Sequence, residues 1–174
     1  MAEHSYTSRR ELDQYRFHPA VTLLAPLACI LLQVELPKLW HYFSILDLPL
    51  IAVIFFAVAR RSPIAGTVTG TIIGLFQDGL TNLPFGVNGI AKGLVGYVAA
   101  SIGFAVDADN ILNRILLTFG FSLFHSGLFY LIEHWLLGDH TFRLLPLFQL
   151  LRAGANTVVA IPLFFLLDHF KQRE

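Results

Sequence analysis

The chain consists of six long apolar segments separated by short polar stretches. Polar and apolar residues do not alternate within these segments, as they would in the strands of a membrane β-barrel, so the pattern predicts helices. Several segments approach the roughly 20 residues that a helix needs to cross a bilayer. The predicted membrane segments are Phe17–Leu36, Phe43–Ala59, Ile64–Leu80, Val87–Val106, Ile111–Leu137 and Leu144–Leu167.

The composition also indicates a membrane protein. Of the 174 residues, 55% are hydrophobic and 14% are charged, whereas a soluble domain carries about 25% charged residues. The formal net charge is zero, so bulk charge gives no reason to expect a nucleic-acid partner. The predicted fold class is therefore all-α, an integral membrane helical bundle of six transmembrane helices.

Basic residues are distributed unevenly between the two ends of the predicted bundle. With the N-terminus inside, eight Lys and Arg residues lie on the inner side, and the outer side holds Lys38, Arg143 and Arg152. An excess of basic residues marks the cytoplasmic side. We therefore expect a cytoplasmic N-terminal tail over residues 1–18, a six-helix transmembrane domain over 19–169 and a cytoplasmic C-terminal tail over 170–174.

Three glycines recur every four residues on the third segment: Gly66, Gly70 and Gly74. Small residues at this spacing allow the backbones of two membrane helices to approach closely. The glycine stripe predicts either packing against another helix of the same bundle or a docking face for a partner's helix. Packing within the bundle is the commoner use of such motifs.

Polar residues flank the turn between the third and fourth segments. Pro84 and Gly86 form the turn, and Asp78 and Lys92 fall at similar depth on its two sides. A buried carboxylate and ammonium each lower the other's cost of leaving water. We predict a structural ion pair closing the hairpin, with the backbone amides of the turn as the alternative partner of Asp78. A proton relay or a ligand site is the functional alternative.

Other polar residues lie on the last two segments. His125 and Glu133 share a helical face, and His134 is rotated away from it. Their spacing is not that of a zinc-binding helix, so no metal site is predicted. We expect Arg152 and Asn156 to bond either Glu133 or a backbone carbonyl. Nucleophile elbows, Walker loops and dinucleotide fingerprints are absent from the sequence, so no catalytic residue and no cofactor is predicted.

The run Gly70-x-x-x-Gly74-x-x-x-Asp78, followed by Pro84-x-Gly86, resembles the signature region of the rod shape-determining protein MreD family. The resemblance implies a non-enzymatic subunit of the bacterial cell-elongation machinery in the inner membrane, which supports peptidoglycan synthesis and rod shape. The implied partners are MreC, a SEDS-type glycan polymerase and a class B penicillin-binding transpeptidase, reached directly or through MreC. The MreB filament is implied as an indirect partner, and membrane lipid surrounds the bundle.

The same family is similar in fold to the substrate-binding subunits of energy-coupling-factor transporters. A vitamin-binding subunit of such a transporter is therefore the alternative function. Those subunits often carry an A-x-x-x-A docking face on the first helix. Ala20, Ala25 and Ala28 do not form that spacing, and the short outer loops provide no obvious lid. Both observations favour the scaffold over the transporter subunit.

Overall fold

The computed structural model describes residues 16–81, 84–138 and 145–172. Most of the predicted N-terminal tail, most of the outer loop 138–143 and the last two residues lie outside the described residues. In chain order the elements are β1 (Arg16–Phe17), α1 (Pro19–Leu39), a 3₁₀ turn (His41–Ile45), α2 (Leu48–Arg60), α3 (Pro63–Thr81), α4 (Val87–Ile102), α5 (Ile111–Leu131), a π-helical turn (Ile132–Leu136), α6 (Pro146–Asp168) and β2 (Lys171–Gln172). Over the described residues, six α-helices and two helical turns make up nearly all of the regular structure, with only the two-residue strands β1 and β2 besides them, so the predicted all-α class is confirmed.

Apart from α5, whose predicted segment continues into the π-helical turn, two helices are shorter than the apolar segments that predict them. The second segment loses its first turn because Asp47 caps α2, accepting a hydrogen bond from Leu50 N at 3.1 Å. The fourth segment ends at Ile102, four residues before its predicted end. Hydropathy continues through both ends, so the pattern alone does not mark where these helices stop.

The centre of the bundle is α2, whose residues from Leu48 to Ala59 are all buried. It is apolar on every side, as expected for a helix surrounded by other helices. An aromatic cluster at its C-terminal half joins Phe55 and Phe56 to Phe17 and to Phe164 of α6. With 13 residues, α2 is about 20 Å long.

Within the described ranges, three helices are long and apolar enough to cross a membrane: Ala20–Leu39, Ile111–Leu136 and Pro146–Asp168. Their outward side chains are apolar rather than charged, for example Leu24 and Val158, which are 57% and 69% exposed. Such a surface suits lipid and would be costly in water. The other three helices are shorter or, as in α3, diluted by glycine, threonine and carboxamide residues.

Both ends of the described chain meet at one end of the bundle. The strands β1 and β2 pair antiparallel, with Arg16 opposite Gln172. Next to this pairing, Arg114 of α5 forms an ion pair with Asp168 of α6 and donates a hydrogen bond to Ala108 O at 2.7 Å. We refer to this end as the terminal end and to the other as the distal end.

Candidate functional site

The glycine stripe of α3 lies directly against α4 of the same chain. A Cβ atom added at Gly66 would collide with the backbone carbonyl of Gly96, and one added at Gly70 would collide with that of Lys92. Gly74 meets the carbonyl of Asn88 in the same way. These three glycines form a helix-packing face inside the bundle, and they do not provide an exposed docking face for a partner.

Asp78 of α3 caps the N-terminus of α4. Its carboxylate accepts hydrogen bonds from the backbone N–H groups of Gly86, Asn88 and Gly89 at 2.9, 3.2 and 3.3 Å. The Asn88 side chain donates a further bond at 2.9 Å. A carboxylate satisfies the free amides of a helix N-terminus and interacts favourably with its dipole. Gly86 permits this geometry because its φ is +105°, which favours glycine.

We expect Asp78→Asn to lower the stability of the bundle by about 1–3 kcal/mol, because at least one amide at the start of α4 then loses its acceptor. The measurement is the thermal melt of the purified protein in detergent. Asp107→Asn is the matched control, because Asp107 makes a similar bond to Asp109 N in an exposed loop. Equal melts of the two variants would show that the cap contributes nothing.

The favoured ion pair between Asp78 and Lys92 is replaced by a different one. The Lys92 ammonium pairs with Asp47 at the start of α2, with Nζ 2.9 Å from Oδ2. Of the two predicted partners of Asp78, the backbone amides of the turn and of the start of α4 bond its carboxylate in the structure. The reason is geometric: the amides of the turn occupy the Asp78 carboxylate, while Lys92, one turn further along α4, points to the central helix.

Lys92 uses all three of its donors within the bundle. Besides Asp47, Nζ lies 3.0 Å from Asn88 Oδ1 and 3.3 Å from His125 Nε2. The side chain has no exposed surface. Since an ammonium only donates, His125 Nε2 accepts and the ring proton is on Nδ1. That Nδ1 lies 3.9 Å from Asp47 Oδ2.

Asp47 connects α2 to α6 as well as to α4. Its Oδ2 lies 3.4 Å from an Arg152 guanidinium nitrogen, and its backbone N–H donates to Asn156 Oδ1 at 2.9 Å. Asn156 in turn donates to Ser122 Oγ of α5 at 3.3 Å. Arg152 and Asn156 therefore bond Asp47. The sequence prediction offered them Glu133 or a backbone carbonyl instead.

The helix α1 joins the same end of the bundle through Gln33. Its side chain donates a hydrogen bond to Leu46 O at 2.8 Å and accepts one from Leu48 N at 3.0 Å, so it bonds the backbone on both sides of Asp47. The resulting network reaches all six helices at the distal end. We call it the polar centre; its members are Gln33, Asp47, Asp78, Asn88, Lys92, Ser122, His125, Arg152 and Asn156.

The sequence analysis did not predict a role for Asp47, which joins α2 to α4 and α6 in the polar centre. The signal was present, because an Asp that precedes Leu-Pro at the start of an apolar run is typical of a helix cap. The predicted second segment starts at Phe43, so Asp47 was counted inside it. For His125 the sequence predicted only a helical face shared with Glu133, and no partner.

The polar centre has the chemistry of a closed structural junction. The charges of its two carboxylates, Asp47 and Asp78, are balanced by those of Lys92 and Arg152. Hydrogen bonds and ion pairs within the network occupy most of its donors and acceptors. Among the described residues, no three His, Cys, Asp or Glu side chains converge as metal ligands do. Family models, curated proteins and solved structures give no match to this chain.

Proposed function

We propose that this protein is a non-enzymatic, multi-pass subunit of the bacterial cell-elongation machinery, placed in the inner membrane with both termini in the cytoplasm. In this proposal it binds MreC and supports peptidoglycan synthesis and rod shape. All six helices would cross the membrane, with α2 buried at the centre and α4 packed along α3. The pairing of β1 with β2 supports an even number of crossings, since it holds the two chain ends at one side.

The observation that carries the proposal is the construction of the α3–α4 hairpin. The glycines, the aspartate and the turn that resemble the MreD signature form one packed unit, in which each residue has a structural task. Gly70 and Gly74 bring the helices together, Asp78 caps α4, and Gly86 adopts the conformation that the cap requires. A motif used in this way suits a rigid scaffold better than a catalyst.

The closed polar centre favours the scaffold over the vitamin-binding alternative. A binding subunit needs a cavity that opens toward the outer side, which is the distal end in this orientation. There the space between α2, α4 and α5 is filled by Lys92, Asp47 and His125, each at most 1% exposed. A rigid bundle of this kind steadies a partner's membrane helix through its outer surface, and it biases the partner only through contacts that differ between two states.

The test is depletion of the protein in a rod-shaped host. We expect cells to become wider and rounder and to incorporate less labelled wall precursor, and we expect MreC to co-purify with the protein from native membranes. Complementation with the wild-type chain is the control for indirect effects of depletion.

A second measurement separates the alternative function. The purified protein is titrated with a panel of vitamins, and binding is followed by calorimetry. Unchanged cell width and precursor incorporation, together with tight binding of one vitamin, would replace the scaffold by the transporter subunit.

A further inference from the structure

A long apolar groove separates α1 from α3 on the surface of the bundle. Its volume is about 570 Å³, within the range of about 300–1,000 Å³ typical of ligand sites. Side chains of α1 such as Leu27 and side chains of α3 such as Ile72 and Phe76 line it. The groove begins at Phe17, next to the β1–β2 pairing, and therefore starts at the terminal end of the bundle.

A single cation faces this groove among the residues that line it. Arg60, the last residue of α2, lies at the terminal end. Within the described part of the chain its guanidinium makes no ion pair or hydrogen bond, in contrast to Arg114 and Arg152, which both pair with aspartates. An unpaired guanidinium beside an apolar groove provides a bidentate donor for a phosphate or carboxylate.

A second polar group in the groove also lacks a partner. The hydroxyl of Thr22 is buried and makes no hydrogen bond within the described residues. Pro26, one turn later, has no N–H to bond the Thr22 carbonyl, so this turn of α1 offers an acceptor as well. Both residues line the groove near the same end as Arg60. The groove thus has a guanidinium at one end, polar groups of Thr22 near that end and an apolar lining along the rest of its length.

We propose that this groove binds an anionic phospholipid, with the headgroup phosphate at Arg60 and one acyl chain along α1 and α3. In the N-in orientation Arg60 faces the cytoplasmic leaflet, which carries the anionic lipids and where basic pockets between membrane helices bind their headgroups. The choice of leaflet rests on the orientation given under Proposed function, whereas the groove itself requires only that the bundle lies in a bilayer. The inference stands or falls independently of the partners named under Proposed function.

The test uses the purified full chain in detergent, with lipid binding measured by native mass spectrometry. The probes are dioleoylphosphatidylglycerol and dioleoylphosphatidylcholine, which share acyl chains and differ in net charge. We expect the wild-type protein to bind the anionic lipid about fivefold more tightly, as one basic residue at the membrane surface contributes about 1 kcal/mol. Equal affinity for the two lipids would overturn the proposal.

Two pairs of variants locate the site. Arg60→Gln should abolish the preference for the anionic lipid, whereas Lys38→Gln, which removes an equal charge at the distal end, should retain it. Thr69→Phe places a large side chain in the groove and should lower the affinity for both lipids. Val158→Phe, on the exposed face of α6, should change the affinity for neither lipid. A preference that survives Arg60→Gln, or binding that survives Thr69→Phe, would overturn the assignment.

A partner's membrane helix is the competing occupant of the groove. If Thr69→Phe prevents co-purification of a membrane partner while the affinity for both lipids stays at the wild-type value, the groove is a protein interface and the lipid proposal is wrong. Thermal melts of all four variants verify that each retains the folded bundle, so that a loss of binding is assigned to the groove itself.

Discussion

Replacing Lys92 with Met should destabilise the bundle by about 3–5 kcal/mol, the range for removing one partner of a buried ion pair. Met keeps much of the side-chain length and removes the ammonium. The Asp47 carboxylate would then keep only Arg152, at 3.4 Å, as a charged partner. The acceptors on Asn88 and His125 would lose their donor at the same time. In a thermal melt the expected fall is about 10 °C for a chain of this size.

Two further variants test whether the pairing is the cause. Lys38→Met removes a lysine of an exposed pair with Glu35, in which the Lys38 side chain is 63% exposed, and it should change stability by less than about 1 kcal/mol. Combining Asp47→Asn with Lys92→Met removes both charges and should recover part of the loss. A Lys92→Met protein that melts like the wild type would show that the polar centre does not stabilise the bundle.

Replacing Gly70 with Leu should disrupt the α3–α4 hairpin and cost about 3 kcal/mol or more, the upper end for an over-packed site. The new side chain would have to occupy the position of the Lys92 backbone carbonyl, which cannot move without shifting α4. Since Lys92 itself belongs to the polar centre, the shift also lengthens its bond to Asp47. The measurement is the yield and thermal melt of the purified protein.

Gly120→Leu is the matched control for this substitution. Gly120 also lies within a helix, but apart from its chain neighbours and the backbone of its own turns no atom lies within 4 Å of a Cβ added there. We expect this variant to melt close to the wild type. If the Gly70→Leu protein melts normally but no longer binds its partner, the glycine stripe contacts a partner protein. That outcome would contradict its packing against α4 within the bundle.

The close contact of α3 with α4 depends on small residues in both helices. The spacing of Gly66, Gly70 and Gly74 predicts a close helix contact but does not name the other helix. The complementary glycines of α4, Gly93 and Gly96, lie in the sequence and meet Thr71 and Gly66 in the structure. Because the connection between α3 and α4 is short, these two helices are neighbours along the chain, and they pack against each other in the structure.

The sequence by itself determined the six helices, because apolar runs of this length leave the backbone little choice but to satisfy its own hydrogen bonds. It also determined the α3–α4 turn, since Pro84, Gly86 and Asp78 act within a few residues of one another. Local chemistry suffices where both partners are close in the chain.

Only the tertiary structure decided the partner of Lys92. Asp47 lies 45 residues away along the chain, and no local pattern distinguishes it from the nearer Asp78. The choice depends on how α2 enters the centre of the bundle and on which carboxylate the turn amides already satisfy. Such pairing over long range is set by packing, because a buried charge bonds whichever opposite charge the folded helices bring within reach.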